Sequence, residues 1–173
     1  MDHNYSAQDG LLEVRPLRLS DIECLRKLRN LDAIRFAYIN SEIISKEGQE
    51  LWFKRYQDND NDFMFVISHE QTSVGFAALY DFDRDEETVE FGRFMIDPMY
   101  QGHNYGRRAL MLILTIAFNK LKAKRITLEV LEKNAAAISL YRSVGFKLVS
   151  QKNGLIKMKN NSDAKPDREK RAR

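Results

Sequence analysis

The 173-residue sequence has little with which to build a metal centre or a covalent cross-link: one cysteine, Cys24, and three histidines, His3, His69 and His103, set far apart. A lone cysteine makes no intramolecular disulfide, which points to a reducing compartment, and histidines so separated lack the short spacing of a zinc site. No metal is expected. Three prolines and eight glycines exclude fibrous or low-complexity sequence. Long hydrophobic runs are missing as well: the longest, residues 109–118, is half of what a bilayer span needs and contains Thr115. The opening MDHNYSAQDG does not read as a secretory or transit signal. Charge of one sign is also scarce, at +3 net, of which +2 belongs to residues 160–173. The body therefore has no broad basic face, and nucleic-acid binding is not indicated. A cytoplasmic protein without membrane association is expected.

With 43% hydrophobic and 31% charged residues, the chain has the composition and length of one domain with a sizeable core. Residues 11–159 read as that domain, and 160–173 as a charged, detachable tail. Residues 11–17 alternate as a strand. Ser-Asp-Ile-Glu at 20–23 fits a capping box, opening a helix with an Ile22, Leu25, Leu28 stripe, and Cys24 reads as a small core residue. Residues 31–44 are ambiguous. Ser45 fits the cap of a second helix, with Leu51, Trp52, Phe53 and Tyr56 as its apolar contacts. Three strand-like runs at 63–69, 74–82 and 88–97, joined by short polar links, predict an antiparallel meander. A buried helix over 106–121, a strand over 125–131 and a helix over 134–145 follow, and the Asn153-Gly154 turn closes a hairpin. The order β-α-α-β-β-β-α-β-α-β-β implies an α/β (α+β) single domain, with a mixed, mostly antiparallel sheet of about seven strands flanked by about four helices.

Three places carry chemistry. The segment 98–108 joins a strand to a helix through Gly102, Asn104 and Gly106, and unpaired amides at a helix N-terminus make an anion site. A turn that merely needs permissive residues explains it equally well. Glu90 lies in a run apolar on both faces, where a carboxylate needs a cleft or a partner. Alternation places it with Gly92, Phe94 and Ile96, opposite Val89, Phe91, Arg93 and Met95. Tyr141 lies one turn after Ala137 and Ile138, where ordinary packing accounts for it.

Together, EFGRFMIDPMYQGHNYGRRAL and LEVLEKNAAAISLYRSVGFK resemble the GNAT superfamily of acyl-CoA-dependent N-acetyltransferases, over roughly residues 11–159. The family's Gln/Arg-x-x-Gly-x-Gly/Ala signature falls on Gln101, Gly102, His103, Asn104, Tyr105 and Gly106, with Asn104 where the first signature glycine is usual. The resemblance implies acetyl-CoA as co-substrate. Its pyrophosphate would lie on the amides from Gly102 to Arg107, and its pantetheine arm along the main chain of Met95 and Ile96. Asn134 would contact the same molecule. The resemblance further implies Tyr141 as the acid that protonates the departing thiolate and Glu90 as the base.

Within 29–60 the spacing is similar to that of N-acetyltransferases for nucleotide-linked 4-amino sugars, pseudaminic-acid synthesis included. An Arg29-Asn30 pair precedes a loop and a helix bearing Trp52-Phe53. This implies a small-molecule amine acceptor, met by Arg35 at a diphosphate and by Trp52 or Tyr38 at a base or sugar; packing is the alternative role for Trp52 or Phe53. The resemblance also admits a homodimer. Polyamine acetyltransferases resemble the C-terminal half, and the acidic turns around Asp60 and Asp85 would suit a polycation. Ribosomal-protein N-terminal acetyltransferases and a non-catalytic acyl-CoA sensor are further alternatives.

Overall fold

The computed structural model describes residues 3–162. Its strands are β1 (Ala7–Asp9), β2 (Leu12–Pro16), β3 (Phe63–His69), β4 (Thr72–Asp83), β5 (Thr88–Ile96), β6 (Arg125–Leu131), β7 (Lys147–Lys152) and β8 (Leu155–Asn161). Helices α1 (Ile22–Arg29), α2 (Asp32–Arg35) and α3 (Lys46–Gln57) lie between β2 and β3. Helix α4 (Tyr105–Thr115) follows β5, and α5 (Ala135–Ser143) follows β6. The eight strands form one sheet in the order β1-β2-β3-β4-β5-β6-β8-β7, antiparallel except where β5 meets β6. The sheet thus has one strand more than the expected seven, and there is one helix more than the expected four. The additions are β1, three residues folded back on β2 through Gly10 at φ +57, and the four-residue α2. Neither is long enough to display a period.

The sheet is covered on both faces. Phe63, Phe65 and Ile67 of β3 pack with Ala109, Leu110 and Ile113 of α4 and Ile138 of α5. Met64 and Val66, one residue out of phase, pack with Leu25 and Leu28 of α1 and Phe53 and Tyr56 of α3. This two-sided burial explains why β3 reads as a continuous apolar run. Among the described residues, no helix is long and apolar enough to cross a membrane.

The expected meander is present in β3, β4 and β5. Ser45 caps α3, its Oγ accepting from the Gly48 amide at 2.9 Å. The closing hairpin turns at Asn153 and Gly154, both at positive φ, and its second strand inserts between β6 and β7. Two local expectations are corrected. The first helix has no Ser20 capping box: a 3-10 turn over Leu19–Asp21 leads into it, Asp21 accepts from the Arg18 amide and from Arg15, and Glu23 pairs with Arg26. Cys24 is exposed rather than core, because the Ile22, Leu25, Leu28 stripe turns position 24 outward. The final strand runs to Asn161, two residues beyond the domain end read from the sequence. Residues 163–173, most of the charged tail, lie outside those described.

Strand β5 departs from simple alternation. Arg93 takes φ +48, and the β4–β5 register slips there, with Ala78 opposite Gly92 but Phe76 opposite Met95. One extra residue in a strand reverses the facing of everything after it. Phe91, Phe94 and Ile96 accordingly share the α4/α5 face, while Met95 joins the α1/α3 face, on which Tyr80 bonds Glu90. The expected grouping of Glu90 with Phe94 and Ile96 is therefore corrected.

Candidate active site

Strands β5 and β6 pair at three positions only, ending with Glu90 opposite Thr127. Beyond this point the bulged β5 stays with β4 while β6 continues with β8, and a cleft opens inside the sheet. The strand edge facing it is that of Phe94 and Ile96. The Phe94 carbonyl accepts from Tyr38 Oη at 2.9 Å and the Ile96 carbonyl from Gln101 Nε2 at 3.2 Å, whereas the Asp97 amide is spent on Val74 of β4. Alternation directs the Phe94 and Ile96 amides into the cleft, where an extended ligand would complete the ladder.

A channel of about 560 Å³ runs from that edge to the start of α4, lined by Met95, Ile96, Gln101, Gly102, Asn104, Tyr105, Gly106 and Asn134. Asn104 adopts the left-handed conformation, φ 61 and ψ 12, as the N-cap of α4, so it does what the signature glycine would do at that position. Gly102, at φ +82, has no heavy atom within 4 Å of where a Cβ would stand. The first-turn amides of α4 have no intrahelical acceptor, and among the described residues no backbone bond outside the regular elements uses those of Gly102, His103 or Asn104. A row of free donors at the positive end of a helix, reached across side-chain-free backbone, fits a pyrophosphate.

The inner end of the cleft is a compartment of about 250 Å³ lined by Glu90, Asn134 and Tyr141, with Tyr38 and Phe94 shared with the channel. Tyr141 is 8% exposed, its ring set edge-on to Phe91 at 6.0 Å; burial pushes its phenol well above the usual tyrosine range. Its hydroxyl has no hydrogen-bond partner among the described residues, so its proton is uncommitted. Asn134 caps α5 by accepting from the Ala137 amide at 3.1 Å. Glu90 accepts from Tyr80 Oη at 2.6 Å. Burial first, and then that bond, raise the Tyr80 phenol, which holds its proton toward the carboxylate. Tyr80 is wedged above Gly92, with the Arg93 guanidinium 4.6 Å from its ring centre. Asp62, 8% exposed, accepts from Arg93 Nη1 at 2.7 Å with both carboxylate oxygens. Desolvation raises the Asp62 carboxyl while Arg93 opposes the rise.

On the α1/α3 side, a pocket of about 350 Å³ meets this compartment at Arg29, Tyr38 and Arg93, and Gln49 and Trp52 also line it. Asn30 fixes the intervening loop, exchanging two 2.8 Å hydrogen bonds with the main chain of Ile44. The preceding residue, Arg29, lines the pocket, its guanidinium 3.9 Å from the Tyr38 ring centre.

Most residues singled out in the sequence therefore converge. Ile96, Gln101, Gly102, Asn104, Tyr105, Gly106 and Asn134 line the channel, Glu90 and Tyr141 the compartment, and Tyr38 and Trp52 the outer pocket. Met95 borders the channel too, but its main chain pairs toward Phe76 of β4, so the expected Met95–Ile96 edge is corrected to Phe94–Ile96. Three side chains do not join them. His103 packs its ring on Tyr105, Arg107 donates to Ser143, and Arg35 pairs with Asp32 at 2.7 Å and with the Ser41 carbonyl. Sequence reasoning missed the cleft-facing edge at Phe94, the Tyr80 and Asp62 contacts, and Gln49. Only Gly92, followed by a charged residue in an apolar strand, hinted at the bulge that creates that edge.

Residues 12–147 match the acetyltransferase (GNAT) domain family. Spermidine N(1)-acetyltransferase of Escherichia coli (strain K12) is 26% identical over 136 residues, which is 78% of this chain and 72% of that protein. Among solved structures, spermidine N-acetyltransferase from Vibrio cholerae in complex with CoA and spermine matches with a TM-score of 0.83 at 22% identity, covering 90% of this chain and 98% of that one. Apo FdhC, a nucleotide-linked sugar GNAT, matches with a TM-score of 0.80 at 19% identity, covering 92% and 91%. At those identities the likeness to the two structures is one of fold.

Proposed function

We propose, from the premise that the chain belongs to the GNAT acetyltransferase family and is an acyl-CoA-dependent N-acetyltransferase, that it acetylates a primary amine of a small molecule, with Tyr141 as general acid and Glu90 as base. The observation that carries this reading is the convergence of Glu90, Asn134 and Tyr141 on one compartment sharing Tyr38 and Phe94 with the channel. Acetyl-CoA supplies the activated thioester. An alkylamine near pKa ~10.4 is protonated at neutral pH, and freeing its lone pair costs about 4–5 kcal/mol. Glu90, directly or through a water, accepts that proton as the nitrogen attacks the thioester carbonyl. The strand amide of Phe94 or Ile96 donates to the tetrahedral oxyanion. As the C–N bond forms and the C–S bond breaks, the Tyr141 hydroxyl protonates the thiolate; the second proton of the original ammonium leaves the nitrogen as the amide forms and, through solvent, restores the phenol. No covalent enzyme intermediate is needed.

Two acceptor classes have support. The relatives named for spermidine favour a polyamine. The Arg29-Asn30 and Trp52-Phe53 spacing, together with the fold shared with FdhC, favours an amino sugar on a nucleotide. Free-thiol release from acetyl-CoA, run over nucleotide amino sugars, spermidine and short peptides, separates them. Tyr141→Phe should lower kcat by about 10²-fold or more on whichever acceptor turns over. A variant as fast as wild type removes Tyr141 from the reaction.

A further inference from the structure

We propose that Arg29 and Gln49 form a distal subsite of the acceptor pocket that holds an anionic group, a phosphate or a carboxylate, carried by the acceptor amine. The proposal rests on the acetyl-transfer reading above and decides between its two acceptor classes.

Among the described residues, Arg29 is a cation without a counter-ion. Its Nη2 donates to the Asn40 carbonyl, its face lies on Tyr38, and its buried Nη1 has no hydrogen-bond partner among the described residues. Among the described residues, the charged groups facing the pocket are Arg29 and Arg93, and no carboxylate lines it. Asp62 stands behind Arg93 and answers that charge alone. A guanidinium nitrogen held away from water without a partner, as Nη1 is, is costly, and an arriving anion recovers that cost. Gln49 supplies an independent sign. It is 4% exposed, it lines the pocket, and its side-chain amide has no partner among the described residues. An amide that faces pocket space rather than protein is free to donate to and accept from an occupant. Trp52, stacked on Tyr56 at 5.3 Å, gives the pocket an apolar wall. Two arginines, one unanswered, with an amide and an aromatic wall repel a polycation and fit the phosphate or carboxylate end of an amine. The pocket meets the Glu90 compartment at Tyr38, so an acceptor spanning both presents its amine to Glu90 and its anion to Arg29.

Trp52 is the chain's one tryptophan, so its fluorescence reports this pocket without turnover. Pyrophosphate and malonate, representing the phosphate and carboxylate arms, are titrated into the full chain, and spermidine is tested as a competitor. At least one anion should give a saturable change that spermidine does not reverse. Arg29→Met should weaken binding about 10- to 100-fold and Gln49→Leu about threefold or more. Arg29→Lys, which keeps the charge, should stay within about tenfold of wild type, and acetyl-CoA binding reports whether each variant is folded. The subsite is overturned if neither anion binds, if Arg29→Met binds the anion as wild type does, or if spermidine displaces it. Since the readout needs no chemistry, an error in the roles of Tyr141 or Glu90 leaves it intact. Efficient spermidine turnover without anion binding would refute the subsite and leave the transfer reaction standing.

Discussion

Gly92→Ala tests whether the bulge in β5 sets up the carboxylate beside it. The backbone tolerates alanine at 92, since its φ is not among the positive values, so the effect is steric. A Cβ at that point would stand 2.8 Å from Tyr80 Oη and 3.0 Å from its Cε1. Ordinary contact begins near 3.4 Å, so the ring must retreat by several tenths of an ångström. It cannot retreat freely. Its hydroxyl is held at 2.6 Å by Glu90, and Arg93 lies 4.6 Å from its ring. Overpacking of this kind costs about 1–3 kcal/mol, which lowers Tm by roughly 2–10 °C in a domain of this size. A hydrogen bond to a charged group contributes about 1.5–3 kcal/mol, so losing the Tyr80–Glu90 bond should lower kcat/KM roughly 10- to 100-fold. Thiol release measured over a range of acceptor concentrations, alongside thermal unfolding, measures both effects. Tyr80→Phe removes the hydroxyl without the clash and should reproduce the kinetic loss with a smaller fall in Tm. If Gly92→Ala is folded and keeps wild-type kcat/KM, the link from bulge to Tyr80 to Glu90 is wrong.

Burial raises the phenols of Tyr38, Tyr80 and Tyr141, so between the ordinary value of ~10 and their own the unfolded chain has lost protons that the folded chain keeps. Stability should fall as pH rises through that interval; tyrosinate absorbance of these three should appear only with unfolding, and the rate profile should lack an alkaline limb from Tyr141 below it. Asn104→Val places a β-branched residue at φ 61, at about 1–2 kcal/mol, and should raise KM for acetyl-CoA while Asn104→Gly does not. Asp62→Ala strips the Arg93 guanidinium, 33% exposed, of its carboxylate; a chemical-denaturation midpoint should register a loss of about 1–3 kcal/mol, below the fully buried limit because water still reaches the arginine.

The elements that a repeating pattern marks were legible in the chain. The β3–β5 meander follows from apolar runs between polar links, and the Asn104 conformation from the tolerance of asparagine for positive φ. Features that break a pattern were not. Nothing in EFGRFM says that Arg93 leaves the strand conformation, and that one residue decides which side chains accompany Glu90 and which amides face the cleft. The Ser20 box failed against a competitor with a carboxylate, since Asp21 reaches both the Arg18 amide and Arg15. Asp62 read as one of several acids in a solvated turn, and only the folded chain brings Arg93 of β5 against it. Cys24 was misread as a core residue, although the Ile22, Leu25, Leu28 stripe on either side of it turns that position outward.

The short seam between β5 and β6 has a mechanical consequence. Five strands lie on one side of it and three on the other, and the ladder across it is three residue pairs long, with Glu87 adding bonds to Lys124 at its start. A ligand laid along the edge of Phe94 and Ile96 and pinned at Asn134 bridges both halves, acting as a missing strand as well as a reactant. Its binding therefore adds to cohesion as well as to chemistry, by about 2.7 kcal/mol at a hundred times its dissociation constant. Amide exchange along β6 should slow when acetyl-CoA is added, and release of the spent thiol should let the seam loosen again, so that each turnover closes and reopens the sheet at its weakest joint.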